Sequence, residues 1–91
     1  MEDIKNIRRE IDNIDKELVR IFEERLNLSL KVMEYKKERS LPILDKNREE
    51  QVIKQAKENL NNIKYEEYLE DFFTKLMEIS KKVQYHVGYK E

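Results

Sequence analysis

Cysteine is absent from this chain of 91 residues, and glycine, proline and histidine occur once each. Without cysteine the chain can form neither a disulfide framework nor a thiolate metal site. The single histidine, His86, excludes a histidine cluster and a Ser–His–Asp triad. One glycine and one proline also leave few places for turns. These absences exclude several classes of enzyme and predict a mostly helical chain.

Long apolar runs and an excess of one charge are missing too. No stretch approaches the roughly 18 apolar residues of a transmembrane helix, and no signal-peptide pattern follows Met1. The 19 basic and 20 acidic residues are mixed along the chain and give a net charge of −1, which argues against a general nucleic-acid surface. We expect a cytoplasmic protein that binds neither membrane nor nucleic acid and forms one domain over residues 1–91.

An apolar stripe runs through the first third of the sequence, which has neither glycine nor proline from residue 3 to residue 39. Its members are spaced alternately three and four residues apart, the pattern of a helix-packing seam. We predict one helix of about 36 residues, roughly 54 Å long. The seam consists of Ile4, Ile7, Ile11, Ile14, Leu18, Ile21, Arg25, Leu28, Val32 and Tyr35.

The predicted length of this helix has a consequence for assembly. A compact chain of this size has a diameter of about 30 Å, so the seam cannot be buried against its own chain alone. The simplest partner is a second copy, and the sequence therefore predicts a two-fold homodimer.

Two shorter helices are predicted after the break at Pro42. Proline disfavours helix in the residue before it, and Asp45 is a suitable N-cap for a second helix. A third helix is predicted from about Tyr65 to beyond Gln84, and the tail from residue 86 to residue 91 is expected to fray. The fold class is all-α with three helices. The apolar faces are Val52, Ile53, Ala56 and Leu60 on the second helix, and Leu69, Phe72, Phe73, Leu76, Ile79 and Val83 on the third.

Arg25 stands in the seam where an apolar residue is expected. A guanidinium cannot lose its proton at ordinary pH, and burying it without an anion costs several kcal/mol or more. Two interpretations follow. Either a glutamate of another helix pairs with Arg25, or an anionic ligand does.

Other polar residues extend this pattern, although each has an ordinary explanation as a surface charge, a helix cap or a satisfied polar pair. Lys36 lies about three helical turns after Arg25 on nearly the same face. Arg48 follows the N-cap of the second helix, where a cation is mildly unfavourable. Together these residues predict a pocket for a small dianion that carries a hydroxyl group. The set comprises Arg25, Lys36, Asp45, Arg48, Glu49, Ser80 and Gln84.

These residues match a known pattern, and over essentially its whole length the chain resembles the all-helical chorismate mutases of the AroQ class. The opening pattern of the family corresponds to Arg8, Ile14-Asp15 and Glu24-Arg25. Its central segment corresponds to Lys36, Pro42, Asp45 and Arg48-Glu49, and its late motif to Ser80 and Gln84.

The resemblance implies an intertwined homodimer of three-helix chains, with Arg8 contributed across the interface. The implied activity is the rearrangement of chorismate to prephenate in aromatic amino acid biosynthesis, without metal or organic cofactor. The implied catalytic residues are Lys36, Gln84 and Glu49. The implied substrate-binding residues are Arg8, Arg25, Asp45, Arg48 and Ser80.

Two alternatives stay open at the level of sequence. An isochorismate pyruvate lyase on the same fold needs a similar cationic pocket, although the Asp45/Glu49 pair around a ring hydroxyl favours the mutase. A non-catalytic helical dimer would not need the full set of eight polar residues. Release of pyruvate from isochorismate identifies the lyase, and absence of stabilisation by a dianionic analogue identifies a structural module.

Overall fold

The computed structural model of the chain describes residues 3–89. It contains three α-helices and a single 3₁₀ turn, and no strand within the described range. Helix α1 spans Ile4–Glu38, α2 spans Lys46–Glu58, the 3₁₀ turn spans Ile63–Tyr65 and α3 spans Glu66–Gly88. The predicted all-helical fold with three helices is confirmed, and α1 has 35 residues. No helix of the described range is both long and apolar enough to cross a membrane.

Side-chain caps begin the first two helices. The Asp3 carboxylate accepts a hydrogen bond from the Lys5 amide at 3.3 Å. The Asp45 carboxylate accepts one from the Arg48 amide at 3.0 Å, as the sequence predicted. Each cap satisfies an amide that has no partner inside its helix. These caps explain why both helices begin where they do.

A Schellman turn ends α1. Ser40 adopts a left-handed conformation with φ 54°, and the amide of Leu41 donates to the carbonyl of Lys36 at 2.8 Å. Glycine is the usual residue at this position because a Cβ is disfavoured there. The turn reverses the chain so that the loop before α2 lies beside the end of α1.

Helix α3 holds the fold together because α1 and α2 both pack against it and not against each other. Leu18 and Val19 of α1 border an apolar depression against α3, and the α1 residues that α3 covers most lie in the distal half of α1, defined here as residues 22–38. Leu26 and Leu30 are half-buried there and Met33 is 4% exposed. The proximal half, residues 4–21, is exposed along its whole length.

The predicted seam lies next to the face that contacts α3, and its members Leu18, Arg25 and Val32 line depressions between α1 and α3. Its apolar members are 37–60% exposed along the whole of α1. The chain measures 57 × 28 × 15 Å, with a radius of gyration of 16.5 Å. It exposes 7966 Å², whereas a compact monomer of 11.2 kDa exposes about 5,700 Å². The single chain therefore leaves an unusually large apolar surface uncovered.

The end of α3 corrects the prediction that the chain frays from His86, because the helix continues to Gly88. The Lys37 ammonium donates to the carbonyl of Gly88 and lies 5.4 Å from the centre of the Tyr89 ring. A Cβ on Gly88 would stand 2.5 Å from the sulfur of Met33, so glycine permits this close approach. The predicted fraying of residues 90 and 91 lies outside the described residues.

Candidate active site

A cavity of about 260 Å³ lies where α1, α3 and the start of α2 meet. Its volume is just below the roughly 300–1,000 Å³ of typical small-molecule sites. The cavity brings together seven of the eight residues singled out from the sequence. They are Arg25, Lys36, Asp45, Arg48, Glu49, Ser80 and Gln84.

Arg25 enters the cavity from α1 and is half-buried. Its Nη1 donates to the Ser80 hydroxyl at 2.9 Å, and no carboxylate of residues 3–89 pairs with it. Burial, and then the nearby Arg48 cation, lower the pKa of the Arg25 guanidinium below its usual value. The environment thus disfavours a charge that Arg25 nevertheless keeps. Within residues 3–89, therefore, no glutamate of another helix pairs with Arg25, as the first of the two interpretations required.

Two buried polar residues of α3 face Arg25 across the cavity. Ser80 and Gln84 are each 7% exposed. The Ser80 hydroxyl donates to the carbonyl of Leu76 at 2.9 Å while it accepts from Arg25. The Gln84 amide donates one hydrogen to the carbonyl of Ser29 at 2.8 Å. Because a primary amide carries two hydrogens, Gln84 keeps a second one for a ligand.

Lys36 is held at the opposite end of the cavity by the loop that contains the proline. Its ammonium donates to the carbonyl of Ile43 at 2.8 Å, and Ile43 itself is 5% exposed. An ammonium has three hydrogens, so two stay available. The loop thereby fixes the direction of the Lys36 side chain without using up its donors.

The first turn of α2 contributes Asp45, Arg48 and Glu49. The carboxylate of Asp45 is engaged as the helix cap. The Arg48 guanidinium is exposed and donates to Gln51 at 2.7 Å. A salt bridge of 2.8 Å joins Glu49 to Lys81 of α3. The arginine is therefore free to turn, whereas the glutamate is anchored.

Sequence reasoning missed Lys81 and the residues between Arg25 and Lys36. Ser29 and Val32 line the cavity one and two turns after Arg25, so helical spacing alone was sufficient to find them. Nothing in the sequence distinguishes Lys81 from the lysine that follows it. Its pairing with Glu49 depends on how α2 and α3 pack.

Arg8, the eighth predicted residue, is exposed on the proximal half of α1 and does not line the cavity. It precedes Arg25 by 17 residues on the same continuous helix, a separation of about 26 Å. Arg8 therefore cannot reach the cavity of its own chain.

The charges of the cavity favour a dianion. Four cations and two carboxylates line it, giving a formal charge of +2. A second depression of about 470 Å³ lies on the other side of the Glu49–Lys81 pair, where two lysines and four glutamates give −2. Only the first of these depressions attracts an anionic ligand. Within residues 3–89 no group of three side chains suited to a metal ion occurs.

Comparisons with known proteins point to one family. A sequence model described as chorismate mutase type II matches residues 7–85. A bifunctional chorismate mutase/prephenate dehydratase of Aquifex aeolicus (strain VF5) is 40% identical over 53 residues. That alignment covers 58% of this chain and only 15% of the relative. No solved structure matches the chain significantly.

Proposed function

This chain belongs to the chorismate mutase type II family, and we propose that its cationic cavity converts chorismate to prephenate. The observation that carries the proposal is Arg25, a half-buried cation with no carboxylate partner among residues 3–89, in a cavity of formal charge +2. A substrate with two carboxylates supplies the missing charge. The reaction is an isomerisation: one carbon–oxygen bond breaks as one carbon–carbon bond forms, and no group leaves.

Binding of the two carboxylates is the first task of the site. The flexible enolpyruvyl arm must fold over the ring before it reacts, and holding it there removes an orientational cost. Arg25 and Arg48 clamp the carboxylates by charge-assisted hydrogen bonds, together with Arg8 of a second chain. Ser80 aligns Arg25 and, when its hydroxyl turns away from Leu76, can donate to the same carboxylate.

Stabilisation of the breaking bond is the second task. Negative charge grows on the ether oxygen as the carbon–oxygen bond lengthens. Lys36 and Gln84 donate to that oxygen with the hydrogens that Ile43 and Ser29 leave available. Both donors are already fixed, so their hydrogen bonds strengthen in the transition state without reorganisation.

Orientation of the ring is the third task, and we assign it to Glu49. A carboxylate accepts a hydrogen bond from the ring hydroxyl of chorismate. Asp45 lies one turn earlier and keeps the start of α2 in place as its N-cap. It also adds a second acceptor at this end of the cavity.

A homodimer completes the proposal. The chain exposes about 2,300 Å² more than a compact monomer of its mass, and covering this on both chains falls in the range of obligate dimers, about 2,000–5,000 Å². An antiparallel pairing of the two α1 seams brings Arg8 of one chain towards Arg25 of the other. Each site then needs both chains.

The first test is the loss of chorismate absorbance on addition of the purified protein, with prephenate identified by acid conversion to phenylpyruvate. We expect turnover without added metal. No turnover of chorismate would refute the proposal. Release of pyruvate from isochorismate under the same conditions would replace it with the lyase.

The second test is complementation between two inactive variants. Arg8→Ala and Arg25→Ala are unfolded together, refolded together and assayed. About half of the dimers then contain one chain of each kind, and each of these has one complete site. We expect recovery of about a quarter of the wild-type activity. No recovery, with mixed dimers present, would contradict the placement of Arg8 across the interface.

A further inference from the structure

The Glu49–Lys81 salt bridge stands between the two depressions described above, because both residues line both of them. It joins α2 to α3 at 2.8 Å, and each side chain is 29% exposed. This makes it the least exposed ion pair within residues 3–89. A pair in this position differs from the solvated ion pairs on the outer faces of the helices.

The surroundings of Glu49 explain what the pair can do. A glutamate has several rotatable bonds, and the cavity offers it the cations Arg25, Arg48 and Lys36. A carboxylate that moved onto those cations would occupy the groups that bind the substrate. Lys81 holds Oε2 of Glu49 at the wall of the cavity. The other carboxylate oxygen is then left for a ligand.

We propose that Lys81 is a positioning residue, which holds Glu49 towards the ring hydroxyl of the substrate and away from the cations that bind its carboxylates. The inference rests on the proposed function, because it assigns a support to one member of that site. Lys81 acts through Glu49 and does not itself contact the reacting atoms.

The helix supplies a matched control for Lys81. Lys82 is the next residue of α3, is exposed and lines neither depression. Lys81→Met keeps most of the aliphatic stem and removes the charge, and Lys82→Met makes the same change outside the site. Lys81→Arg keeps the ion pair. Lys81→Gln replaces Lys81→Met if the latter does not fold, as judged by circular dichroism and thermal melting.

The experiment measures kcat and KM for chorismate and for its analogue that lacks the ring hydroxyl. With chorismate, we expect Lys81→Met to lower kcat/KM about 10- to 100-fold, within the usual range for coupled neighbours. The analogue has no hydroxyl that can donate a hydrogen bond to Glu49. With it, the loss in kcat/KM caused by Lys81→Met should be about two-fold or less. Lys81→Arg should restore most of the activity, and Lys82→Met should behave as wild type.

A double-mutant cycle provides an independent measurement. Once Glu49→Gln has removed the carboxylate, Lys81→Met should cause little further loss, because Lys81 acts through that group. Additive effects, or equal losses on both substrates, would overturn the inference and make Lys81 a direct anion-binding residue. Wild-type kinetics of Lys81→Met would reduce the pair to an ordinary surface contact. Failure of the wild-type protein to convert chorismate would instead refute the proposed function, and the inference with it.

Discussion

The two halves of α1 share one seam and one continuous helix but differ in what surrounds them. The proximal half, residues 4–21, has no residue that its own chain buries. The distal half, residues 22–38, packs on α3 through Leu26, Leu30 and Met33 and carries Arg25 and Lys36 into the cavity. Regular apolar spacing is therefore present in both halves, whereas buried α1 residues and the cationic cavity occur only in the distal one.

This difference distinguishes an apolar stripe that packs within its own chain from one that is available to a second chain. In the distal half, one face of the helix is covered by α3, while the seam members Leu28, Val32 and Tyr35 stay 47–58% exposed. In the proximal half, the same seam is exposed at every position, although Leu18 borders an apolar depression against Phe72 and Leu76 of α3. The proximal half therefore offers its seam to the second chain that we propose, whereas the distal half also contains residues that its own chain buries.

The largest expected effect belongs to the distal half. Lys36→Ala removes a fixed donor to the breaking bond, and such a loss typically raises the barrier by about 3–4 kcal/mol, a factor of roughly 10²–10³ in kcat. Arg9→Ala should change kcat little, because Arg9 is an exposed cation of the proximal half whose side chain hydrogen-bonds only to Asn6 among residues 3–89. Steady-state kinetics on chorismate measures both. Near-wild-type turnover of Lys36→Ala would remove it from the site.

A charge in the proximal seam should have an effect of similar size, but on assembly of the dimer. Ile14→Asp places a carboxylate where the two α1 helices are proposed to pack, and an uncompensated buried charge costs about 3–5 kcal/mol. We expect dissociation of the dimer in sedimentation experiments. Asn13→Asp adds the same charge about 100° further round the helix, outside the seam, and serves as control. A monomeric wild-type protein, or an unaffected Ile14→Asp variant, would contradict the assignment of the seam.

Arg25→Leu should separate stability from activity at the boundary between the two halves. Leucine continues the apolar seam and removes a cation whose charge is disfavoured by burial and by Arg48. We expect thermal unfolding to show a gain of about 1–2 kcal/mol, while turnover is lost. A destabilised Arg25→Leu protein would show that Arg25 contributes to the stability of the fold and would contradict this prediction.

The smallest expected effect lies in the turn just after the distal half. Ser40 holds a left-handed conformation that glycine adopts without steric cost. Ser40→Gly should stabilise the fold by about 0.5 kcal/mol, because the relief of strain is partly offset by greater freedom of the unfolded chain. Chemical denaturation measures the change. Arg39→Gly is the control and should destabilise the fold. Arg39 has an ordinary φ of −105°, so the loss of its Cβ relieves no strain.

The elements that local chemistry specifies were predictable from the sequence. The long helix, the N-cap Asp45 and the break before α2 all follow from residues close together in the chain. Seven polar residues also lie around one cavity, because helical spacing places Arg25 with Lys36 and Ser80 with Gln84. The roles of these residues in catalysis stay predictions that the variants described above test.

The features that were not predictable depend on contacts between helices. Apolar spacing identified the seam but not the face of Leu26 and Met33 that packs on α3, because periodicity does not say which stripe meets which partner. The end of α3 looked like a fraying tail, yet Lys37 and Met33 hold it through Gly88. Lys81 gave no signal because its partner Glu49 belongs to another helix.

The unbroken part of α1 between Arg8 and Arg25 also fixes the distance and the relative direction of these two arginines. Each residue inserted into it moves one arginine by about 1.5 Å and turns it by about 100° relative to the other. Substitutions on the outer face leave that setting unchanged, whereas insertions and deletions alter both distance and direction. The turn between α2 and α3, at residues 59–62, sets no comparable spacing along a single helix. We therefore expect insertions and deletions to be tolerated in that turn but not in the part of α1 between Arg8 and Arg25.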